Sequence, residues 1–404
     1  MKAPVTFGRR RAILGLLFAS ITINLLDRQV LSLVAPLLRV QLNLTNTQYA
    51  NVVFCFLLGL TLAQVPAGAL LDRRGARWGL PFLMLWWSAA NALHAAARGA
   101  LGLGVLRFLL GAGESGNYSA GVKVIAEWFP PERRALAGGI FNTGSVVGAF
   151  LAPPVVVFLA SRYGWRTAFL LPSVCGLLWI VPWLVVYRRR APEGPAAGAA
   201  AASPVRPIWT RRQAWGAALM RALGGPVNHF YWYWLPLYLR QERGFTLEQI
   251  GILAGLPFLF GGLGNLAGGW FSSFLMSRGV TADGARKTAF AGAAALCLAS
   301  LAVPLAASGG RALALISVAS FGVSVYAATW IGLITDLFPQ QAAARATGLA
   351  GLCEGITNMT FTLLTGRIVD RYSFLPVFLA AGLLPGLGLA CLFLWIRRIE
   401  RVVV

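Results

Sequence analysis

Twelve apolar stretches, each about as long as a bilayer-crossing helix, occupy this 404-residue chain almost from end to end. They fall at about 12–36, 48–71, 78–97, 100–125, 135–160, 167–187, 213–238, 247–277, 287–306, 312–335, 345–369 and 374–396. A hydrocarbon core about 30 Å thick takes roughly 20 apolar residues per helix. In lipid every backbone N–H and C=O must be satisfied inside its own segment or a closed barrel, so runs of this length predict an all-α membrane protein of twelve transmembrane helices. Almost no length remains for a soluble domain, and only 12% of residues are charged, against roughly 25% in soluble domains. A cytosolic enzyme, a secreted disulfide scaffold and a disordered tail are excluded together. The start, Met1 to Arg11 followed by an apolar run, imitates a signal peptide, but no small-residue cleavage site closes the run, which carries Asp27-Arg28 and continues to Val34. The five cysteines, Cys55, Cys175, Cys297, Cys353 and Cys391, lie singly in apolar runs and read as small buried hydrophobes.

The formal charge is +22, from 35 basic and 13 acidic residues. Most of the basic residues fall in the termini and in the loops after even-numbered spans, which predicts both termini on the cytoplasmic side. Spread over several segments, this excess is accounted for by topology and anionic lipid, and no nucleic-acid partner is expected. The longest break, about 188–212, holds Arg188-Arg189-Arg190 and an Ala/Gly/Pro-rich run that cannot bury a core. It reads as a cytoplasmic linker between six-helix halves at 1–187 and 213–404. The halves repeat: Gln48 corresponds to Gln249, Gly68 to Asp72 corresponds to Gly269 to Ser273, and Glu127-Trp-Phe-Pro130 corresponds to Asp336-Leu-Phe-Pro339. Two parallel repeats suit a transporter, whose similar bundles can rock about a site near the midplane.

Leaving aside residues within three positions of a span end, six charges stand inside the spans: Asp27, Arg28, Arg107, Glu114, Arg221 and Glu354. At roughly 2.5–3.5 kcal/mol each near a helix centre, six unpaired would cost about 15–20 kcal/mol, more than the ~5–15 kcal/mol by which a folded domain is stable. They must be paired or face water. A structural salt-bridge network is one outcome; a cavity is favoured because an arginine fork anchors a carboxylate with two parallel hydrogen bonds, whereas a purely structural pair is replaceable by apolar residues. At 100° per residue Arg107, Glu114 and Tyr118 fall on one helix stripe, thinned by Gly111, Gly113 and Gly116. Asp27 and Arg28 lie about 100° apart, so one can face a cavity while the other meets span four. In span seven, the aromatics of Asn228-His-Phe-Tyr-Trp-Tyr-Trp-Leu-Pro236 are either an interface belt or faces for a sugar-like ligand. His229 could titrate near neutral pH or simply be hydrogen-bonded; His94 is expected at the interface. Glu354, with Asn358 one turn on, is a functional acid or a helix-packing group, and Arg221 an anion anchor or a snorkelling residue.

Between spans two and three stands Gly68-Ala-Leu-Leu-Asp72-Arg73-Arg74-Gly75-Ala76-Arg77. It matches the G-x-x-x-D-[RK]-x-G-[RK]-[RK] loop and so resembles the major facilitator superfamily. The resemblance implies a latch, with Asp72, Arg73 and Arg77 in gating; Ser273 replaces the acid in the second half, so the duplicate latch is expected to be degenerate. Asp27-Arg28-Gln-Val-Leu-Ser, Arg107-Phe-Leu-Leu-Gly-Ala-Gly-Glu114-Ser-Gly-Asn, Glu127-Trp-Phe-Pro-Pro-Glu-Arg-Arg134 and Trp234-Leu-Pro-Leu-Tyr-Leu together resemble its anion:cation symporter branch, and within that the bacterial hexuronate and galactonate transporters. Against the branch pattern this chain carries Gly225 and Asn228-His229 before the span-seven aromatics, and Glu354 in span eleven.

The resemblance implies a fold of two pseudo-symmetric six-helix bundles in a bacterial cytoplasmic membrane, and proton-coupled import of a small organic anion, a sugar acid such as a hexuronate or aldonate. Arg28 and Arg107 would hold the carboxylate, with Asn142, Ser145, Tyr231 and Trp330 as candidates for hydroxyl and ring contacts. Asp27, Glu114, Glu354 and His229 would be the proton sites. No cofactor or metal is called for, and one copy is expected to suffice. A proton-driven exporter of amphiphilic compounds would instead need a roomy apolar cavity. A membrane transferase would need clustered acids or a His/Cys nucleophile at a membrane face, and the spans hold neither.

Overall fold

The structure, a computed structural model, describes residues 7–187 and 208–401. Most of the expected linker, from 188 to 207, and the first six residues lie outside the described residues. Within them all regular structure is helical, as the apolar runs require. In chain order the helices are α1 (Phe7–Gln41), α2 (Asn46–Leu93), α3 (Ala100–Glu114), α4 (Asn117–Trp128), α5 (Pro131–Tyr163), α6 (Trp165–Val186), α7 (Arg212–Gln241), α8 (Leu247–Leu253), α9 (Leu256–Ser277), α10 (Ala282–Cys297), α11 (Ala299–Ala302), α12 (Gly309–Leu337), α13 (Gln340–Arg371) and α14 (Leu375–Cys391). These are the twelve spans, some broken and two joined. α2 carries spans two and three and breaks at Gly75, whose φ of 71° and ψ of 164° is backbone that a Cβ disfavours. Among the described residues seven stretches pass as membrane spans on length and apolarity alone. The long α7 and α13 do not, and they carry Arg221, His229, Glu354 and Asn358.

The chain divides into two compact units, Met1–Ala200 with Leu247–Gly255, and Ala201–Thr246 with Leu256–Val404. Each repeats one packing scheme. In the first, α1 packs on α5 and α2 on α3; in the second, α7 packs on α13 and α9 on α12. Missing side chains make the close approaches possible. A Cβ on Gly59 would strike the Phe108 carbonyl and one on Gly111 the Phe56 carbonyl, where α2 meets α3; Gly264 and Gly268 meet the carbonyls of Phe321 and Val325 in the same way, where α9 meets α12. Lipid gives helices no hydrophobic reason to associate, so backbone proximity and van der Waals contact hold such pairs together. The glycines of span four therefore admit α2, with Gly113 against Trp86 and Trp87 and Gly116 against Leu83.

Candidate functional site

The first unit gathers four of the six span charges where α1 meets α3. Arg28 donates from Nε (3.1 Å) and Nη2 (2.9 Å) to one oxygen of Glu114, Oε2, and Nη2 also reaches Asn24 Oδ1 at 3.4 Å. The Arg28 side chain is 16% exposed and that of Glu114 0%. Asp27 is equally buried and takes a different partner: Asn91 of α2 donates from Nδ2 to its Oδ1 at 2.7 Å and shares that amide with the Phe169 carbonyl (3.1 Å) and Ser173 (3.2 Å). Arg107 is buried, and its charge acts on both Asp27 and Glu114. The Arg28 and Arg107 guanidiniums lie 5.3 and 5.8 Å from the ring of Phe56, so one aromatic ring serves both cations. Neighbours in sequence thus face different helices, as the 100° step requires. Two groups that sequence reasoning passed over, Asn24 and Asn91, complete the centre; the signal for each was a lone amide in an apolar run.

A second centre lies in the second unit. Arg221 of α7 donates from Nε to Glu354 Oε2 of α13 at 2.7 Å, so the two span charges of uncertain role are partners. A Cβ at Gly225 would collide with the Glu354 carboxyl group. The two positions at which the chain departs from the branch pattern therefore meet in space. One turn further on, His229 places Nδ1 3.2 Å from the Gly225 carbonyl and Nε2 3.4 Å from Asn358 Nδ2. A cavity of about 40 Å³ adjoins the pair.

Of the other candidates, Trp330 alone joins one of these centres. Tyr231 is buried with its hydroxyl 2.6 Å from Ser300, so its polar atom is already committed. Trp330 is buried, donates from Nε1 to the Ala217 carbonyl at 2.9 Å, and lies under the Arg221 guanidinium at 5.2 Å. It supports an arginine there. Asn142 is exposed, and Ser145, half-buried, donates to the Asn142 carbonyl at 2.6 Å. Tyr118 leaves the expected stripe: α3 ends at Glu114, α4 begins at Asn117, and the residue is 54% exposed. His94, expected at the interface, is buried, stacked on Phe169 at 5.0 Å with Nδ1 2.8 Å from the Ala90 carbonyl.

Two units with one packing scheme, each carrying an Arg–Glu bridge between helices, agree with comparison to known proteins. The family model of the Major Facilitator Superfamily matches residues 17–282. The chain belongs to the Major Facilitator Superfamily. It is a multi-pass membrane protein of a family of transporters, not enzymes. It is 29% identical to the hexuronate transporter of Escherichia coli (strain K12), over 96% of this chain and 94% of that one. It is 30% identical to a probable L-galactonate transporter of the same organism, over 94% and 88%. Among solved structures, a bacterial homolog of the human lysosomal transporter Spinster, inward-facing and occupied, superposes with a TM-score of 0.78 at 17% identity, covering 97% of this chain and 98% of that one; that likeness concerns the fold.

The superfamily's loop motif takes a local form here. Asp72 pairs with Lys123 of α4 at 2.6 Å, and Lys123 also donates to the Leu71 carbonyl at 3.0 Å. Arg73 is exposed, and Arg77 packs over Trp78 at 5.8 Å. In the Glu127-Trp-Phe-Pro segment, Arg134 donates to the carbonyls of Ala126 (2.9 Å) and Phe129 (3.0 Å) at the end of α4, satisfying orphan helix-end acceptors. In the second half Ser273 stands in place of the acid and donates to the Gly269 carbonyl of its own helix at 2.9 Å. Arg286 of α10 bridges Asp336 of α12 (2.9 Å) and Ser272 of α9 (2.8 Å), against the bare face of Gly332. This interhelix clamp is of a different kind, since Asp336 is the counterpart of Glu127 in the repeat and not of Asp72. Nearby, Asp283 takes hydrogen bonds from Lys287 (2.7 Å) and the Ile399 N–H (2.8 Å); partial burial opposes ionisation, but these bonds outweigh it and hold the carboxyl below its ordinary range.

Proposed function

We propose that this chain is a proton-coupled importer of a small organic anion, a sugar acid of the hexuronate or aldonate class, working by alternating access as a monomer in a bacterial cytoplasmic membrane with both termini inside. The observation that carries the reading is the Arg28–Glu114 bridge, buried beside Arg107 and Asp27. An arriving carboxylate can compete for Arg28, and in doing so it takes Glu114's partner away. A buried carboxylate without a partner is costly and is relieved by taking a proton. Substrate and proton then bind with positive, reciprocal coupling, typically about 1–3 kcal/mol. Asp27, already bonded to Asn91, is the second candidate proton site, with His229 and Glu354 after it. The clamps at Asp72–Lys123 and Arg286–Asp336 tie helices within each unit and belong to the moving parts. The names borne by the relatives make galacturonate and galactonate the first ligands to try. A thermal-shift panel of hexuronates, aldonates and plain monocarboxylates tests the reading, since a ligand at about 100 times its Kd adds roughly 2.7 kcal/mol. Stabilisation by none of the sugar acids would refute the substrate class.

One observation favours a second reading, export of amphiphilic compounds. A cavity of about 470 Å³ lies between α2 and α3, lined by Val52, Leu101, Val105 and Phe108 with Gln48 and Asn51 at its rim, and none of the four charged residues lines it. Proton-driven expulsion of a lipophilic dye from vesicles, insensitive to Arg28→Ala, would support export and displace the importer reading.

A further inference from the structure

We infer that the second unit carries an anion site of its own, sized for one carboxylate head, in which Arg221 is the anchor and Glu354 is a resident anion that an incoming carboxylate replaces. The inference rests on the reading that the chain handles organic acids, and deepens it by adding a site in the second unit.

Four observations carry it. First, Arg221 uses only Nε on Glu354, and its two terminal NH₂ groups have no hydrogen-bond partner among the described residues, with 30% of the side chain exposed. A guanidinium presents five donors in a planar fork matched to carboxylate, so the part of the fork best suited to bidentate binding is unused. Second, the adjoining cavity is lined by Arg221, Gly224, Gly225, Asn228, Tyr326 and Glu354 among others, and its ~40 Å³ is about three times the ~10–15 Å³ that a single water needs. That volume takes the head of a carboxylate and leaves a sugar ring outside. Third, the anchor is held ready: the Trp330 ring lies under the guanidinium and is itself pinned through Nε1 to the Ala217 carbonyl. An aromatic face holds a cation without consuming its N–H donors. Fourth, Glu354 has its seat because Gly225 has no side chain there. Space that accepts one carboxyl group against Arg221 is shaped for another. A bridge serving structure alone would be closed around its donors, whereas Arg221 commits only Nε to Glu354.

The test is equilibrium binding of radiolabelled D-galacturonate to the purified full chain in detergent. If Glu354 competes with the ligand for Arg221, the two variants act with opposite signs: Arg221→Gln weakens binding and Glu354→Gln tightens it, each by about ten-fold, the worth of one charge-assisted hydrogen bond. Arg221→Lys, which keeps the charge without the fork, should fall between wild type and Arg221→Gln. Weakening by both variants, or no change in either, would overturn the inference, since a merely structural bridge is hurt from either side. Thermal unfolding of each variant separates loss of fold from loss of site, and Arg221→Lys supplies the reading if Arg221→Gln does not fold. Arg28→Ala distinguishes the two proposals: unchanged galacturonate binding in that variant removes the first-unit site and leaves the opposite-sign test standing.

Discussion

The two arginine–glutamate bridges are chemically alike and physically different. In the first unit Glu114 is 0% exposed and Arg28 16%; in the second, Glu354 is 16% exposed and Arg221 30%. Burial sets what each acid can do. Removing one partner of a buried pair costs about 3–5 kcal/mol because the other charge is stranded, whereas exposed pairs are worth about 0–1 kcal/mol. Glu114 can therefore leave Arg28 only when another anion or a proton takes over the charge balance, which is the requirement of a coupled carrier. Glu354 can leave Arg221 to water, which is the requirement of a displaceable stand-in.

The largest expected effect follows from this contrast. Glu114→Ala should lower stability by about 3–5 kcal/mol and Glu354→Ala by clearly less, because its partner Arg221 keeps 30% of its side chain exposed, measured by thermal unfolding in detergent. Equal losses would erase the distinction. Next, Arg28→Ala and Arg107→Ala should each weaken sugar-acid binding by roughly ten- to a hundred-fold or more, as expected for lost charge-assisted bonds, while the protein stays inserted. Lysine should restore little; isotherms unchanged in both alanine variants would sink the assignment.

Smaller effects sharpen the second centre. Gly225→Ala forces a methyl group into the Glu354 carboxyl and should cost about 1–3 kcal/mol. Much of that loss should vanish in a Glu354→Ala background, and a double-mutant cycle showing simple additivity would mean that the two do not share the space. Smallest in stability is Asp72→Asn, because Asp72 is 78% exposed and the change should stay within about 1 kcal/mol. Its effect belongs in kinetics: slower exchange of labelled substrate at unchanged affinity. A fall in affinity with normal exchange per bound substrate would contradict the gating role.

The spans were legible because a bilayer demands long apolar runs, and the cost of charge in lipid singled out Asp27, Arg28, Arg107, Glu114, Arg221 and Glu354. Which charge meets which was not legible. Arg221 and Glu354 stand 133 residues apart, and only packing of α7 on α13 joins them. The stripe from Arg107 to Tyr118 assumed an unbroken helix, and the break at Ser115-Gly116 ended it. Tyr231 looked available because a helix's rotation cannot be read from one aromatic-rich run, and its hydroxyl turns to Ser300. Asn91 and Lys123, each a lone polar residue in an apolar context, were the detectable signals left unused. The repeat in sequence did foreshadow the repeated packing, yet the second clamp uses Asp336, the counterpart of Glu127 and not of Asp72, and its pairing with Arg286 could not be read from register alone.

The central claim is that Glu114 trades Arg28 to the substrate and takes a proton in return. It is tested most directly by measuring, side by side in proteoliposomes, counterflow of labelled galacturonate and its uptake driven by an inward proton gradient, for wild type and Glu114→Gln. Wild type should do both, with uptake collapsing on addition of an uncoupler. Glu114→Gln, a permanently neutral mimic, should keep counterflow and lose concentrative uptake. A Glu114→Gln carrier that still concentrates galacturonate against its gradient would contradict the account and pass the proton to Asp27 or to another site.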